Sequence, residues 1–536
     1  MVGPVASAGR VTARGVASAV PRVGRLRVGG VVRAGWVGRA VAAVLTASVL
    51  LAGCSAAEPR PDPAPPAPSP SPAPAPSPLA LPVGAVPGAE WRITHPGPEH
   101  AIEGFAARTS VRPGEPVRLF VSTTATRYTV TAFRMGDYPP TGAAQVWVSS
   151  PQPGRRQADP VVQAPRATVV APWDPSLTVD TAGWPPGDYL FRLDGDEGSQ
   201  QFVPLTVASP DNTGRLVVVN AVTTWQAYNR WGGYSLYAAR TGRFADRSRA
   251  VSFDRPYQAK DMQGAGDFLI FELPFVQFAE RSGLPLGYAT DVDLHADPHL
   301  LDGAAAMITL GHDEYWSSAE RAAVTAARDR GVNLAFLGGN EIYRHIRFED
   351  SPWGPNRVEV GYKSFQEDPA SRTDPSEATQ QWRDPPDPRP ESVLLGNFYQ
   401  CNPVEADLVV ADDRNWLLSG LVRDGQRLPG LVGDEYERVD LRVPTPRPIE
   451  VLFHSPVTCR GRPDFADATW YTVPSGAGVF SAGTQYWICG LDPGCRGGQS
   501  APVIGAITTR LLTAFAAGPA GVAHPAEDNL SALHIT

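Results

Sequence analysis

The sequence predicts an all-β module followed by an α/β domain, both carried on an exported chain. Three observations lead to this fold class. Residues 90–210 contain alternating or β-branched runs broken by Pro, Gly and Asp, a pattern typical of short antiparallel strands. Residues 211–522 contain continuous apolar strands that alternate with helical patterns. A leader with Arg residues and a short apolar run precedes both parts.

Residues 1–53 predict a bacterial lipoprotein signal peptide. They hold seven Arg and no Lys, Asp or Glu, and they end in the run "AVAAVLTASVLLAG" before Cys54. This run is too short to span a bilayer comfortably, but it has the length of a signal-peptide core. The small residues before Cys54 predict cleavage there and lipidation of that Cys. An ordinary secretory signal with a chance Cys is the alternative.

Residues 54–89 predict a linker rich in Pro, Ala and Ser. Proline stiffens the chain and removes backbone donors, so such a segment stays extended and builds no core. A lipid anchor at Cys54 followed by this stalk would hold the folded part at the extracytoplasmic face of the cell membrane.

The charge of the folded part argues against nucleic-acid binding. The formal net charge of the whole chain is −8, and removal of the seven leader arginines brings it to −15. An acidic body gains little electrostatic attraction to nucleic acid or to anionic lipid. We therefore expect no nucleic acid among the partners.

Five runs within residues 90–210 predict the strands of an immunoglobulin-like β-sandwich. They are "EPVRLFVSTT", "RYTVTAFRMG", "AAQVWVSS", "GDYLFRLDG" and "QQFVPLTVAS". Alternation within the runs indicates strands that pack one face against a core, and the breaks between them have the spacing of sandwich turns.

Residues 211–522 predict an open α/β sheet. The strand "RLVVVNAV" is followed by a helix that is interrupted near Pro274. The strand "AAAMITLG", a helix over residues 317–331 and the strand "VNLAFLGGN" then form a βαβ unit. In that helix, Ser317 and Glu320 predict a capping box. Later apolar runs and a final helix complete the domain, and residues 523–536 form a C-terminal tail.

Four cysteines follow the linker: Cys401, Cys459, Cys489 and Cys495. Outside the cytoplasm they are expected to pair. Three pairings are possible, and we predict Cys489 with Cys495, which leaves Cys401 with Cys459. A zinc site is the alternative, although the chain lacks CxxC spacing.

Polar residues follow both strands of the βαβ unit. "GHDEYW" and "GGNEIYR" lie at the carboxyl ends of neighbouring parallel strands, where ligands bind in open α/β sheets. The first contains neither Cys nor Ser at the nucleophile position, which argues against thiol-based glutaminase chemistry. A purely structural alternative is that the acidic residues favour the helix start while the aromatic residues pack.

Three other segments are weaker candidates. "TTWQAYNRWGGYSLY" follows the first α/β strand, and it is predicted as a polar-aromatic loop that walls a ligand or merely packs. "DVDLHADPH" (291–299) holds alternating Asp and His that would bind a metal if extended, but a solvated turn is favoured. "GDEYERVD" (433–440) is predicted as an acidic surface turn that could also support the site.

Over residues 100–515 the chain resembles the large (beta) subunit of N,N-dimethylformamidase and its C-terminal-domain family. The resemblance is carried by "RMGDY", "WQAYNRWGGYSLY", "GHDEYW" and "LAFLGGNEIYRHIRFE". It implies an immunoglobulin- or lectin-like β module beside a class I glutamine amidotransferase-like, flavodoxin-like α/β domain. This agrees with the strand and helix patterns above.

The resemblance implies one non-haem iron ion, Fe³⁺, held by two tyrosines and a glutamate. By motif, these ligands are Tyr189, Tyr228 and Glu314, and the nearby catalytic residues are His312 and Asn340. Phenolate and carboxylate oxygens suit a hard cation, which polarises a carbonyl and activates water. His312 would shuttle a proton and Asn340 would orient the substrate.

The chain also departs from that family. It has an export leader, no small partner subunit is evident, and Tyr343 stands where a Trp is expected.

We therefore expect an extracytoplasmic, membrane-anchored, metal-dependent hydrolase of non-peptide amide bonds, acting on a small-molecule amide. The alternative is a non-catalytic lipoprotein that binds a cell-surface glycan or peptide by aromatic stacking. The aromatic residues in question are Trp225, Tyr228, Trp231 and Tyr234. The sequence leaves the oligomeric state open.

Overall fold

The computed structural model describes residues 80–535. The predicted signal peptide, Cys54 and the linker up to residue 79 lie outside the described residues, as does residue 536. Within the described part, the fold is mixed and mostly sheet, with several sheets, some helices and no barrel. No helix of residues 80–535 has both the length and the apolar character that a bilayer crossing requires.

The first part of the fold is built from strands alone. Its strands are β1 (Val86–Pro87), β2 (Ile102–Ala106), β3 (Ser110–Val111), β4 (Val117–Thr123), β5 (Arg127–Met135), β6 (Ala143–Val148), β7 (Gln152–Pro153), β8 (Val161–Gln163), β9 (Thr168–Val170), β10 (Leu177–Val179), β11 (Gly187–Gly195) and β12 (Gln200–Val207). The larger sheet has the order β1-β6-β5-β11-β12-β3, with β7 paired to β5, and β10-β4-β2 form a second sheet. All five predicted runs are strands, and side chains such as Leu119, Phe191 and Val203 pack between the sheets.

The second part alternates strands and helices. Its strands are β13 (Leu216–Asn220), β14 (Ala250–Ser252), β15 (Leu286–Thr290), β16 (Ala306–Gly311), β17 (Tyr315–Ser317), β18 (Asn333–Gly338), β19 (Arg344–Ser351), β20 (Gly354–Val360), β21 (Phe398–Val409), β22 (Arg427–Arg438), β23 (Ile449–Cys459), β24 (Arg462–Thr472) and β25 (Gly478–Ser481). Its helices are α1 (Val222–Tyr228), α2 (Phe268–Phe271), α3 (Leu273–Arg281), α4 (Asp291–Ala296), α5 (Ser318–Asp329), α6 (Ser392–Leu395), α7 (Tyr486–Gly490), α8 (Ala501–Ala516) and α9 (Ala520–Ala523).

The central sheet of the second part has the order β15-β13-β16-β18-β25-β24-β23. Its first five strands run parallel, and β24 and β23 are antiparallel additions. The parallel strands are buried along their whole length, as their continuous apolar sequences require. Parallel order brings the carboxyl ends of β16 and β18 side by side, and this edge positions the site described below.

Several local predictions are confirmed. The expected break near Pro274 separates α2 from α3 at Glu272. Helix α5 begins with a reciprocal capping box between Ser317 and Glu320. Both predicted disulfides form, Cys401–Cys459 and Cys489–Cys495. The finer assignment as immunoglobulin-like and flavodoxin-like parts, with its domain boundaries, stays a prediction.

Three segments differ from their predicted structure. Residues 291–296 are helical rather than a solvated turn, because Thr290 and Asp293 form a capping box there. Residues 433–438 are not a surface turn but belong to β22, with Glu435 buried. Trp225 and Tyr228 belong to α1 rather than to a loop. In each case a contact distant in sequence, or a cap, overrides the local polarity of the segment.

Candidate active site

The two strand-end loops meet because their strands end in register. Gly311 of β16 pairs with Gly338 of β18 in the last position of the parallel ladder. Gly311 adopts a φ of 61°, and a Cβ there would lie 2.4 Å from the Cβ of Phe271. A side chain at this position would therefore be strained and would also clash, so the turn into His312 requires glycine.

Backbone hydrogen bonds hold the two loops together. The amide of Ile342 donates to the carbonyl of Asp313 at 2.9 Å, and that of Arg344 donates to the carbonyl of Glu314 at 2.7 Å. From the first α/β crossover, the Thr224 hydroxyl accepts the amide of Glu314 at 2.9 Å. The expectation that both loops converge is therefore confirmed, and α1 joins them.

A cluster of tyrosines surrounds the Glu314 carboxylate. The Tyr228 hydroxyl donates to Oε2 of Glu314 at 2.7 Å. The Tyr237 hydroxyl lies 2.8 Å from Oε1 and 2.9 Å from Oε2. The two hydroxyl oxygens are 3.0 Å apart, and the Tyr315 hydroxyl donates to that of Tyr237 at 2.6 Å. Two phenols and one carboxylate thus share a single small volume, which we call the tyrosine–glutamate cluster.

Cationic side chains keep Glu314 ionised inside the protein. The side chain is 1% exposed, and burial alone would raise its pKa. The contact with His312 and the neighbouring Lys363 and Arg344 outweigh burial and lower the pKa to about 2, although burial lowers the pKa of Lys363 itself well below its ordinary value. Arg344 Nε lies 3.5 Å from Oε1, and Lys363 Nζ lies 3.0 Å from the centroid of the Tyr237 ring.

The phenols of the cluster stay protonated on their own. Burial, followed by the neighbouring Glu314 charge, raises the pKa of both Tyr228 and Tyr237 well above the ordinary value of tyrosine. Each phenol therefore donates to the carboxylate, and conversion to phenolate would require a cation at the same place.

His312 lies between two carboxylates. Its Nε2 is 3.5 Å from Oε2 of Glu314 and 3.4 Å from Oε2 of Glu435. Burial alone would lower the pKa of His312. The two carboxylates outweigh this effect and raise the pKa above its ordinary value, to about 9. The Asn340 side chain lies 3.5 Å from the same Nε2, and its Oδ1 has no hydrogen-bond partner within residues 80–535. Asn340 has a φ of 59°, in the left-handed region that asparagine tolerates better than most residues.

The structure does not bring Tyr189 to the tyrosine–glutamate cluster. Its hydroxyl donates to the carbonyl of Pro185 at 2.6 Å, and its ring stacks on Trp184 at 4.9 Å between centroids. The side chain is 1% exposed and belongs to the core of the β module. The predicted grouping of Tyr189 with Tyr228 and Glu314 is therefore corrected, because the hydroxyl is used locally. Tyr237 lies where the second phenol was expected.

The aromatic residues proposed for stacking on a glycan are mostly used internally. Trp225 is 3% exposed and donates its indole N–H to Glu272 at 2.9 Å. Trp231 is 5% exposed and donates to Glu103 at 2.9 Å. A packed indole offers no free face to a sugar, so Trp225 and Trp231 agree with the packing alternative for this segment.

Sequence reasoning missed Tyr237, Tyr315, Arg344, Lys363 and Glu435 as members of this site. Tyr237 ends the motif "WQAYNRWGGYSLY", but its spacing gave no reason to prefer it over the other tyrosines of that motif. Lys363 carried one usable signal, because it is one of two lysines in a chain whose Lys and Arg total 47. Arginine serves nearly everywhere else, so a buried lysine marks an unusual position.

Comparison with known proteins identifies a family. A family model described as N,N-dimethylformamidase beta subunit-like, C-terminal, matches residues 129–499, which is more than half of the chain. No curated protein matches the chain. A crystal structure of a cycloisomaltooligosaccharide glucanotransferase from Paenibacillus sp., complexed with cycloisomaltoheptaose, shares 14% identity at a TM-score of 0.13. That match covers 23% of this chain and 17% of the other, and so slight a likeness carries no argument.

Proposed function

The chain belongs to the N,N-dimethylformamidase beta subunit-like, C-terminal family, and from this premise we propose that it is a metal-dependent hydrolase of small, non-peptide amides. The observation that carries the proposal is the tyrosine–glutamate cluster of Tyr228, Tyr237 and Glu314. We include in it the finer fold assignment, an immunoglobulin-like module beside a glutamine amidotransferase-like domain, which the parallel order of β15, β13, β16 and β18 supports.

The donor set of the cluster fits a hard cation such as Fe³⁺. Metal–oxygen bonds of about 2 Å place neighbouring ligands of one ion about 2.8 Å apart. The oxygens of Tyr228, Tyr237 and Glu314 are separated by 2.7–3.0 Å. Anionic oxygen donors favour hard ions, and no thiolate lies among the three. We propose these three residues as the ligands, with Tyr237 in place of Tyr189.

The remaining residues suit the hydrolysis of an amide. A bound ion would polarise the substrate carbonyl and lower the pKa of water. Burial raises the pKa of Glu435, so this carboxylate is suited to accept a proton from the attacking water. His312 lies between Glu314 and Glu435 and would donate a proton from Nε2 to the leaving nitrogen as the C–N bond breaks. The free Oδ1 of Asn340 accepts an N–H of the substrate or of its amine product.

The location of the protein is part of the proposal. The leader and the linker support a lipid anchor at Cys54 and an enzyme on the extracytoplasmic face of the cell membrane. Both disulfides agree with an oxidising compartment.

Metal content and amine release together test the activity. Purified protein should contain about one iron per chain and release amine from N-substituted formamides, whereas Glu314→Gln should lose both. The matched control is Glu349→Gln, because Glu349 pairs with Arg166 at 2.7 Å outside the cluster. Wild-type protein without iron, zinc or manganese would end the metal claim. Glycan binding without amine release would favour the binding alternative.

A further inference from the structure

Three carboxylates meet inside the second part of the fold, on the interior side of the loop that carries Glu314. Asp291 is the first residue of α4, Asp313 follows β16, and Glu320 lies in the first turn of α5. One oxygen of each lies within 4.8 Å of the other two. Three separate elements thus direct negative groups into one space, which we call the inner carboxylate cluster.

The carboxylates of this cluster are fully buried. Asp291, Asp313 and Glu320 are each 0% exposed. Asp291 uses Oδ2 to accept the amide and hydroxyl of Thr223 at 3.1 and 2.6 Å. Glu320 uses Oε2 to accept the amide of Ser317 at 3.2 Å. Each of these two residues therefore spends one oxygen on local structure and keeps the other for the cluster.

The other oxygens have no partner in the described part of the chain. Both oxygens of Asp313, Oδ1 of Asp291 and Oε1 of Glu320 accept no hydrogen bond of good geometry there. The indole N–H of Trp316, itself without a partner of good geometry, is close enough to Asp313 to lower the pKa of that carboxyl, but it is neutral and balances no charge. Buried polar atoms in folded proteins are almost always satisfied by protein, water or an ion. Unpartnered carboxylate oxygens on all three residues of the cluster are therefore the second, independent sign of a ligand.

The surroundings of the cluster supply no positive charge. Within residues 80–535, none of the three carboxylates forms an ion pair with Lys, Arg or His. The charges that act most strongly on Asp313 come from other acids, Asp291, Glu341 and Glu320. Buried charges are normally paired or coordinate metals, so this cluster needs either a cation or protons.

We propose that Asp291, Asp313 and Glu320 bind one divalent cation of the Ca²⁺ or Mg²⁺ class. The donors are carboxylate oxygens without Cys or His, which favours hard ions over zinc or copper. The ion joins the start of α4, the end of β16 and the start of α5, and so fixes the loop between β16 and β17. This site does not depend on the proposed activity, because none of its ligands belongs to the tyrosine–glutamate cluster.

Burial raises the pKa of Asp291 to about 7, so protons compete with the cation at this residue.

Titration of the chelator-stripped, full-length protein with Ca²⁺, Mg²⁺ or Mn²⁺, each alone, tests the site. Calorimetry should give one equivalent for at least one of these ions, and the same ion should raise the melting temperature. Glu320→Gln and Asp291→Asn, which remove ligands from two different helices, should each weaken binding at least tenfold. Absence of binding by all three ions in the wild type would overturn the proposal whether or not the variants fold.

Two control variants locate the ion. Asp413→Asn alters the other acidic group, that of Asp412, Asp413 and Asp424, in which Asp412 is buried, Asp413 is half-buried and Asp424 is exposed, and it should leave binding unchanged. Glu314→Gln removes the proposed catalytic ligand and should also leave it unchanged. Loss of binding in Asp413→Asn, or unaltered binding in Glu320→Gln, would contradict the assignment. Absence of iron from the tyrosine–glutamate cluster would leave the proposed site at the inner carboxylate cluster unaffected.

Discussion

Replacement of Tyr237 by Phe separates the two possible phenol ligands. The substitution removes one hydroxyl that contacts both oxygens of Glu314, at 2.8 and 2.9 Å, and leaves the ring in place beneath Lys363. In the metal-free protein this hydroxyl donates to a charged group, a hydrogen bond worth about 1.5–3 kcal/mol, and that energy measures the stability that the variant loses rather than its metal affinity. Even partners outside the coordination sphere change metal affinity by about 10–100-fold. We therefore expect iron affinity to fall by roughly 100-fold or more.

Tyr189→Phe is the matched control. It also removes one tyrosine hydroxyl, but this one donates only to the carbonyl of Pro185. Loss of that hydrogen bond should destabilise the fold by about 1–3 kcal/mol, since a buried carbonyl is left without its donor. Iron affinity should not change. Iron content after dialysis and competition with a chelator measure the affinities, and urea unfolding measures stability. Iron lost in Tyr189→Phe but retained in Tyr237→Phe would refute the reasoning.

Two further predictions follow from a buried acid and from the leader. Burial raises the pKa of Asp188 to about 7 from 3.8, so the folded state binds a proton that the unfolded state releases. The resulting stability is present below about pH 4 and is lost as pH rises through 7, by about 4 kcal/mol at about 1.36 kcal/mol per pKa unit. Asp188→Asn should therefore become more stable relative to wild type between pH 5 and pH 8 in urea unfolding, and a constant difference would contradict this. Cys54→Ser should move the protein from the detergent phase to the aqueous phase in a phase-partition assay, while Ser55→Ala should stay with the detergent; equal partition of both variants would exclude the lipid anchor.

Local patterns in the sequence were sufficient to predict the βαβ unit and its polar edge. Strands β16 and β18 are continuous apolar runs, and the capping box of Ser317 and Glu320 marks the start of α5. Parallel order then required both strand-end loops to lie together. Periodicity, capping and topology can all be read from a single sequence, so these features could be predicted without the structure.

The second phenol required information that periodicity does not contain. Tyr237 follows a loop whose closure depends on the amide of Leu236 bonding to the carbonyl of Ala227 and on distant contacts with Glu314. Tyr189 lies in β11, opposite Leu205 and Arg134, where strand alternation alone does not say which face meets the core. The Tyr189 hydroxyl instead donates to the carbonyl of Pro185, a local acceptor that spacing in the sequence does not reveal.

The three residues between β16 and β17 serve two separate groups of charges. His312 and Glu314 face the tyrosine–glutamate cluster, while Asp313 between them contributes to the inner carboxylate cluster. A substitution of Asp313 would therefore disturb both, and its effect could not be assigned to either. Asp291 and Glu320 belong only to the inner carboxylate cluster. If their variants lose iron, the effect must therefore be indirect, through a change in the loop between β16 and β17. If the cation at the inner carboxylate cluster raises the iron affinity of the tyrosine–glutamate cluster, linkage requires that iron raise the affinity for the inner cation by the same factor.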